Sequence, residues 1–207
     1  MKLYTVPLSP NCRRVEATIR HLRLDVETIS IDTSSGHMKS AEYLRLNPNG
    51  KAPLLVDGGF MLWESNAIMQ YLADLGSAPA FFPEDARARA DITRWQFWEA
   101  LYFNRAVMSI CWETLGKPMM GQGEADEHIV ASSLSEFEQY ATVLNDHLTD
   151  KIFMMGNKLT LADFSVGSIS TFALMPGSRI PLDSFPNIRN WYQRLQTVPA
   201  WAETSPL

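Results

Sequence analysis

Two cysteines in 207 residues, Cys12 and Cys111, are too few for a disulfide framework. A reduced, cytoplasmic setting is the simpler reading. Nowhere does the chain reach the roughly 20 apolar residues in a row that a membrane-crossing helix needs. Its first residues, MKLYTVPLSPNCRR, have no apolar run of the kind a secretion signal carries. Basic residues are in the minority, 18 Lys and Arg against 23 Asp and Glu, a net charge of −5. That balance argues against a nucleic-acid surface, which needs a basic footprint. The four histidines, His21, His37, His128 and His147, are scattered and have no metal-ligand spacing. Eleven Gly and 12 Pro exclude collagen-like and low-complexity classes, and no internal repeat or charge run occurs.

What is present is a chain 46% hydrophobic, enough for one large core or two smaller ones. Its two parts read differently. Lys2–Val6 is a short strand stopped by Pro7, and Cys12–Leu24 has a helical apolar face with Arg13, Arg14, Glu16, Arg20 and Arg23 outside it. Val26–Ile31 is β-branched and alternating, a second strand. Ala41–Leu46 makes a short helix, ended by Asn47-Pro48. Pro53–Val56 and Phe60–Trp63 flank the turn Asp57-Gly58-Gly59 as a hairpin, and Ser65–Leu75 is helical. This β-α-β-α-β-β-α order predicts a small mixed α/β sheet with helices on its faces. Gly76–Pro83 reads as a linker. Beyond it the pattern is all-α: one long helix over Asp85–Leu115, a second over Glu124–Leu148, a third from the capping box Thr160-Leu161-Ala162-Asp163 to about Leu174, and a last over Pro186–Leu195. Expected domains are therefore 1–78 and 85–207.

Three stretches stand out together: Ser9-Pro10-Asn11-Cys12-Arg13, Asn47-Pro48-Asn49-Gly50-Lys51-Ala52-Pro53-Leu54-Leu55, and Glu64-Ser65-Asn66-Ala67-Ile68. With Thr160–Asp163 they resemble the cytosolic glutathione transferase family over essentially the whole chain. The Ser-x-x-Cys-Arg form is similar to its bacterial-type, theta- and delta-like members. The resemblance implies a thioredoxin-like first domain and an all-helical second one. It also implies glutathione as co-substrate without a permanent cofactor or metal, a small electrophile as second substrate, and two-fold homodimers. Phe60, Met61 and Trp63 on the hairpin give the dimer weak support.

The residues make physical sense of that chemistry. Ser9 lies between a strand and a helix start, where an exposed hydroxyl can hydrogen-bond a thiolate and a helix N-terminus favours negative charge. Capping the helix is its purely structural alternative. Cys12 is a rival through a mixed disulfide, or else a packed cysteine. Tyr4, on a strand, reads as a core aromatic, and Cys111 as a core residue. The resemblance makes Ala52–Pro53 a cis peptide whose Ala52 backbone pairs with an extended tripeptide. It places the γ-glutamyl carboxylate at Ser65 and the N–H groups of the following helix, and the γ-glutamyl ammonium at Glu64. A serine before a helix also caps it, so Ser65 has a structural role open to it as well. Lys39 and Lys51, with His37 weaker, are candidates for the glycine carboxylate. Asn66 departs from relatives that carry arginine or glycine there. Tyr102, Arg105, Ala106 and Ser109, on the long helix, are the candidate electrophile pocket, with Trp112, Phe103, Met119, Met120 and the C-terminal tail near it. The alternatives are glutathione-dependent disulfide or peroxide reduction through Cys12 or Ser9, and a non-catalytic glutathione-binding or scaffolding module.

Overall fold

β1 (Lys2–Thr5) alternates in burial, with Leu3 and Thr5 inside and Lys2 in solvent, so one face of it must be covered. The computed structural model describes residues 1–205 and supplies the cover. The last two residues of the expected helical part, Pro206 and Leu207, lie outside the described residues. After β1 come α1 (Pro10–Leu22), β2 (Glu27–Ser30), α2 (Ala41–Leu46), β3 (Leu54–Asp57), β4 (Phe60–Trp63) and α3 (Ser65–Leu75). Sheet order is β2-β1-β3-β4, with β1 and β2 parallel and the other two pairs antiparallel. The crossover helix α1 makes the parallel pair possible, and the turn at Gly58 makes the hairpin. α1 and α3 pack together over this sheet.

Then come α4 (Ala86–Trp98), α5 (Asn104–Cys111), α6 (Lys117–Met119), α7 (Glu127–His147), α8 (Leu161–Gly167), α9 (Ser170–Ala173), α10 (Pro186–Leu195) and α11 (Pro199–Ala202). The expected single helix over 85–115 is one helical path interrupted by two wider π-turns, Glu99–Phe103 and Trp112–Gly116. The expected helix from Thr160 to Leu174 breaks after Gly167, where a side chain would come within 2.6 Å of Leu195. The capping box forms as expected. Both oxygens of the fully buried Asp163 are used: Oδ2 accepts from the Thr160 N–H (2.9 Å) and hydroxyl (3.1 Å), and Oδ1 from the Met154 N–H (2.8 Å) and Trp191 Nε1 (3.0 Å).

One apolar core runs through both halves, from Leu3, Val15, Ile68 and Leu72 to Phe103, Phe137, Phe164 and Trp191. Each such buried side chain contributes about 1.5–3 kcal/mol. A small separate cluster, Ile31, Tyr43 and Leu54, lies on the other side of the sheet, and Tyr4, expected in the core, is half-buried and packs edge-on to Tyr43. The sequence reading is corrected at α1. Arg13 and Arg14, expected outside, are only 5% and 1% exposed, because α8 and α11 cover that face. Arg14 makes a two-pronged ion pair with Glu99 at 2.8 Å and 2.8 Å, and it also donates to Ser168 and Asn66. A charge buried this deeply is tolerated only with its counter-charge and acceptors in place.

Candidate active site

Ser9 starts α1. Its backbone is extended, Pro10 follows at the first helical position, and its Oγ accepts from the Cys12 N–H at 3.3 Å. Capping consumes a lone pair and leaves the hydroxyl proton free to donate. The structural and chemical roles of Ser9 are thus compatible. The turn before it is tight, with Leu8 at φ 64°. Cys12 sits one turn further on and is 1% exposed, its Sγ accepting from the Val6 N–H at 3.3 Å. Burial pushes its thiol up, and pushes Cys111 up to about 12, the reverse of what a reactive thiolate needs.

The loop into β3 is held from behind. Buried Asn47 donates from Nδ2 to the Lys51 carbonyl at 2.7 Å, and its Oδ1 accepts from the N–H and side chain of Asn49. Tyr43 donates to the same Lys51 carbonyl at 2.8 Å. Gly50 stands at φ 58°, where a side chain would come within 2.8 Å of the Met38 carbonyl, so this position needs glycine. The Ala52–Pro53 bond is cis, as expected. At the other wall, Glu64 sits at φ 75°, ψ 110°, a sparsely populated conformation for a residue with a side chain. Glu64, not Ser65, is the cap residue of α3, and no side chain caps that helix. Ser65 is its first helical residue and donates instead to Asn11 Oδ1 at 3.3 Å. The expectation that Ser65 caps α3 is therefore corrected, and the first N–H groups of α3 are left for another acceptor.

These walls enclose a cavity of about 140 Å³, lined by Lys51, Ala52, Pro53, Glu64 and Ser65 from the predicted set, together with Asn11, Asn47, Asn49 and Trp63. The three asparagines stood inside the motifs, but their roles depend on which loops meet. Exposed Lys39 does not line this cavity; its Nζ hovers over Gly50, beside the same loop. Ser9 borders a second, larger cavity of about 440 Å³ at the start of α1. That cavity lies between the β1–α1 turn, β2, Arg13, Thr171 and the stretch Glu203–Ser205.

Tyr102, Arg105, Ala106 and Ser109 do not gather at either cavity. Ala106 is fully buried in the core, and Ser109 Oγ lies 2.7 Å from Ser133 Oγ on α7. Arg105 pairs with Glu136 of α7 at 2.8 Å, and Tyr102 stacks on Tyr140 at 5.5 Å. The π-turn at Glu99–Phe103 shifts the register of the residues that follow it. One extra residue in a turn rotates everything after it by about 100° relative to a 3.6-residue reading. Trp112, Met119 and Met120 remain exposed. Among the described residues, no three His, Cys, Asp or Glu side chains gather as a metal ion requires, and no helix is long and apolar enough to cross a membrane.

Comparison with known proteins joins these features. The family description "Glutathione S-transferase, N-terminal domain" matches residues 1–74, and "Glutathione S-transferase, C-terminal domain" matches residues 100–199. Glutathione S-transferase 3 of Zea mays is 30% identical, covering 99% of this chain and 92% of its own length. The structure of glutathione S-transferase I from maize with an atrazine glutathione conjugate superimposes with TM-score 0.89 at 28% identity, covering 99% of this chain and 95% of that one. A theta-class glutathione S-transferase from Xanthomonas axonopodis pv. citri with glutathione bound gives TM-score 0.87 at 26% identity, covering 99% and 96%. The chain belongs to the glutathione S-transferase family.

Proposed function

We propose that this protein is a transferase that joins the sulfur of glutathione to small, partly apolar electrophiles, with Ser9 as its catalytic residue. The observation that carries the proposal is the Ser9 hydroxyl: held at the start of α1 by its bond to Cys12 N–H, with its proton still free to donate. A hydrogen bond from Oγ to the thiolate, together with the positive end of α1, favours the ionised sulfur over the thiol. Each unit of pKa lowering corresponds to about 1.4 kcal/mol of preference for the anion. Fixing sulfur and electrophile side by side removes a further part of the barrier.

In this proposal the tripeptide lies along the Ala52 backbone where Pro53 turns the chain, paired as an added strand. Its γ-glutamyl carboxylate meets Ser65 and the uncapped N–H groups of α3, and its ammonium meets Glu64. Lys51, at the cavity wall, takes the glycine carboxylate, with Lys39 behind it. Residues 1–78 form the glutathione-binding unit and 85–207 the unit completing the electrophile site. No permanent cofactor takes part. The proposal includes a cytoplasmic location and a homodimer. Support for the dimer comes from exposed Phe60, Met61 and Trp63, and from exposed Phe97 in a groove between α3 and α4 beside Glu64. The burial of Cys12 weighs against the disulfide-reducing alternative.

Two measurements test the proposal. Titration calorimetry should detect glutathione binding, and its absence at millimolar ligand removes the enzyme reading. Ser9→Ala should lower kcat/KM with a chloronitrobenzene substrate roughly 10²-fold or more, with glutathione affinity nearly retained. An unchanged rate takes the role away from Ser9.

A further inference from the structure

Asn11 is the one residue between Ser9 and Arg13 to which the proposed chemistry and the packing of α1 give no task. Ser9 caps α1, Pro10 opens it, and Cys12 and Arg13 are buried. Asn11 is exposed, at the second position of the helix, and its side chain reaches α3: Oδ1 accepts from the Ser65 hydroxyl at 3.3 Å. Of α1, Asn11 alone lines the cavity of about 140 Å³ that also contains Glu64, Ser65 and Lys51. A hydroxyl has one proton to give, and that of Ser65 is on Asn11. The Asn11 amide still has two N–H groups on Nδ2, for which the described residues supply no acceptor. Neither α1 nor α3 has an acidic residue in its first turn, and no side chain caps α3. The Asn11–Ser65 bond therefore holds two positive helix ends side by side at the wall of one cavity.

We propose that Asn11 is a further glutathione-binding residue: its Nδ2 donates to the γ-glutamyl carboxylate, while its Oδ1 keeps Ser65 in place beside it. The inference rests on the glutathione-transfer reading above and adds to that site a side-chain donor from the helix that Ser9 begins. A carboxylate offers about four acceptor positions, so it takes Asn11 together with Ser65 and the first N–H groups of α3. An amide suits this place because it donates without carrying charge. A lysine or arginine here would pair with Glu64 and compete with the ligand's ammonium, and an aspartate would repel the ligand's carboxylate. A neutral donor at Asn11 and an anion at Glu64 together read an end group that carries both charges. Asn11 is two residues from Ser9, so the seat of the γ-glutamyl end and the hydroxyl that faces the sulfur are built on one turn of α1.

The test compares glutathione with the analogue that lacks this carboxylate, 4-aminobutyryl-cysteinylglycine, by titration calorimetry. The unmodified protein should bind glutathione at least about 30-fold tighter, the worth of several hydrogen bonds to a charged group. In Asn11→Ala that preference should shrink roughly 5- to 10-fold, the loss of one of them. In Asn11→Asp it should vanish or invert, since the new carboxylate repels glutathione's and attracts the analogue's ammonium. With a chloronitrobenzene substrate, both variants should raise KM for glutathione in step with its Kd and leave kcat at saturating glutathione within about two-fold. Melting separates recognition from a merely structural role. A negative side chain in the first turn favours a helix, so Asn11→Asp should melt no lower than the unmodified protein while losing glutathione. Glutathione binding with the preference unchanged in Asn11→Ala, or a loss of affinity shared equally by the two ligands, overturns the role of Asn11 and leaves it a contact between α1 and α3. Absence of any glutathione binding to the unmodified protein overturns the transfer reading and this inference with it.

Discussion

Removing Glu99 strands a cation in the middle of the molecule. Arg14 and Glu99 have side-chain exposures of 2% and 0%, and their two hydrogen bonds are both 2.8 Å. In Glu99→Ala, Arg14 keeps Ser168 and Asn66 as neutral acceptors but loses the carboxylate it is paired with. Breaking one side of a buried ion pair costs about 3–5 kcal/mol, a large share of a total stability of about 5–15 kcal/mol. With a urea m-value of about 2–3 kcal/mol/M, the midpoint should fall by about 1–2.5 M at fixed protein concentration. The double variant Arg14→Met, Glu99→Leu removes both charges and fills the space with apolar volume. It should recover most of that loss, because the desolvation cost disappears along with the attraction. The cycle therefore predicts strong coupling between the two positions. A cost below about 1 kcal/mol for Glu99→Ala, or a double variant as unstable as the sum of the singles, would refute the reasoning. Asn66 touches Arg14 and follows Ser65, so Glu99→Ala should also raise KM for glutathione before the protein unfolds.

Cys12→Ala should keep conjugation within about two-fold while lowering stability by roughly 1–2 kcal/mol, since it leaves the Val6 N–H without its sulfur acceptor; a large loss of rate with stability intact would return the cysteine to the chemistry. Burial lowers the pKa of both His21 and His147 below 6.5, so the unfolded chain binds more protons as pH falls through that value. Their contribution to stability is complete above pH about 6.5 and is lost on acidification. The melting temperature should therefore drop below that pH, and less so in a His21→Phe, His147→Gln variant. Asp163, raised by burial to about 6, acts in the opposite sense at lower pH, and the histidine variant isolates the two effects. An unchanged acid slope in that variant would rule the histidines out as its source.

Local signals found most of the elements. Alternation and the Asp57-Gly58-Gly59 turn located the hairpin, and the Thr160–Asp163 spacing located the start of α8. The residues grouped around Ala52, Glu64 and Ser65 lie in the motifs that carry the resemblance to glutathione transferases, which is what singled them out. The role of Asn11 was not legible: it accepts from Ser65, 54 residues away. The π-turn at Glu99–Phe103 was not legible either, since nothing in the spacing announces it, nor were the contacts of Arg105 and Ser109 with Glu136 and Ser133 of α7.

What the sequence settled by itself was the order of strands and helices, the change from mixed sheet to all-helix near residue 80, and the motifs that bring backbone and hydroxyl groups to one end of the sheet. Periodicity and turn chemistry act over a few residues, and these features need no more. What only the tertiary structure decided was the fate of charge. A pattern reading places every arginine of α1 in solvent, since most are. Docking the helical half against α1 buried two of them, gave Arg14 a partner 85 residues away, and set Arg13 against Thr171 and the Trp201 carbonyl. Desolvation depends on what comes to lie opposite, and contacts at that range leave no trace in local spacing.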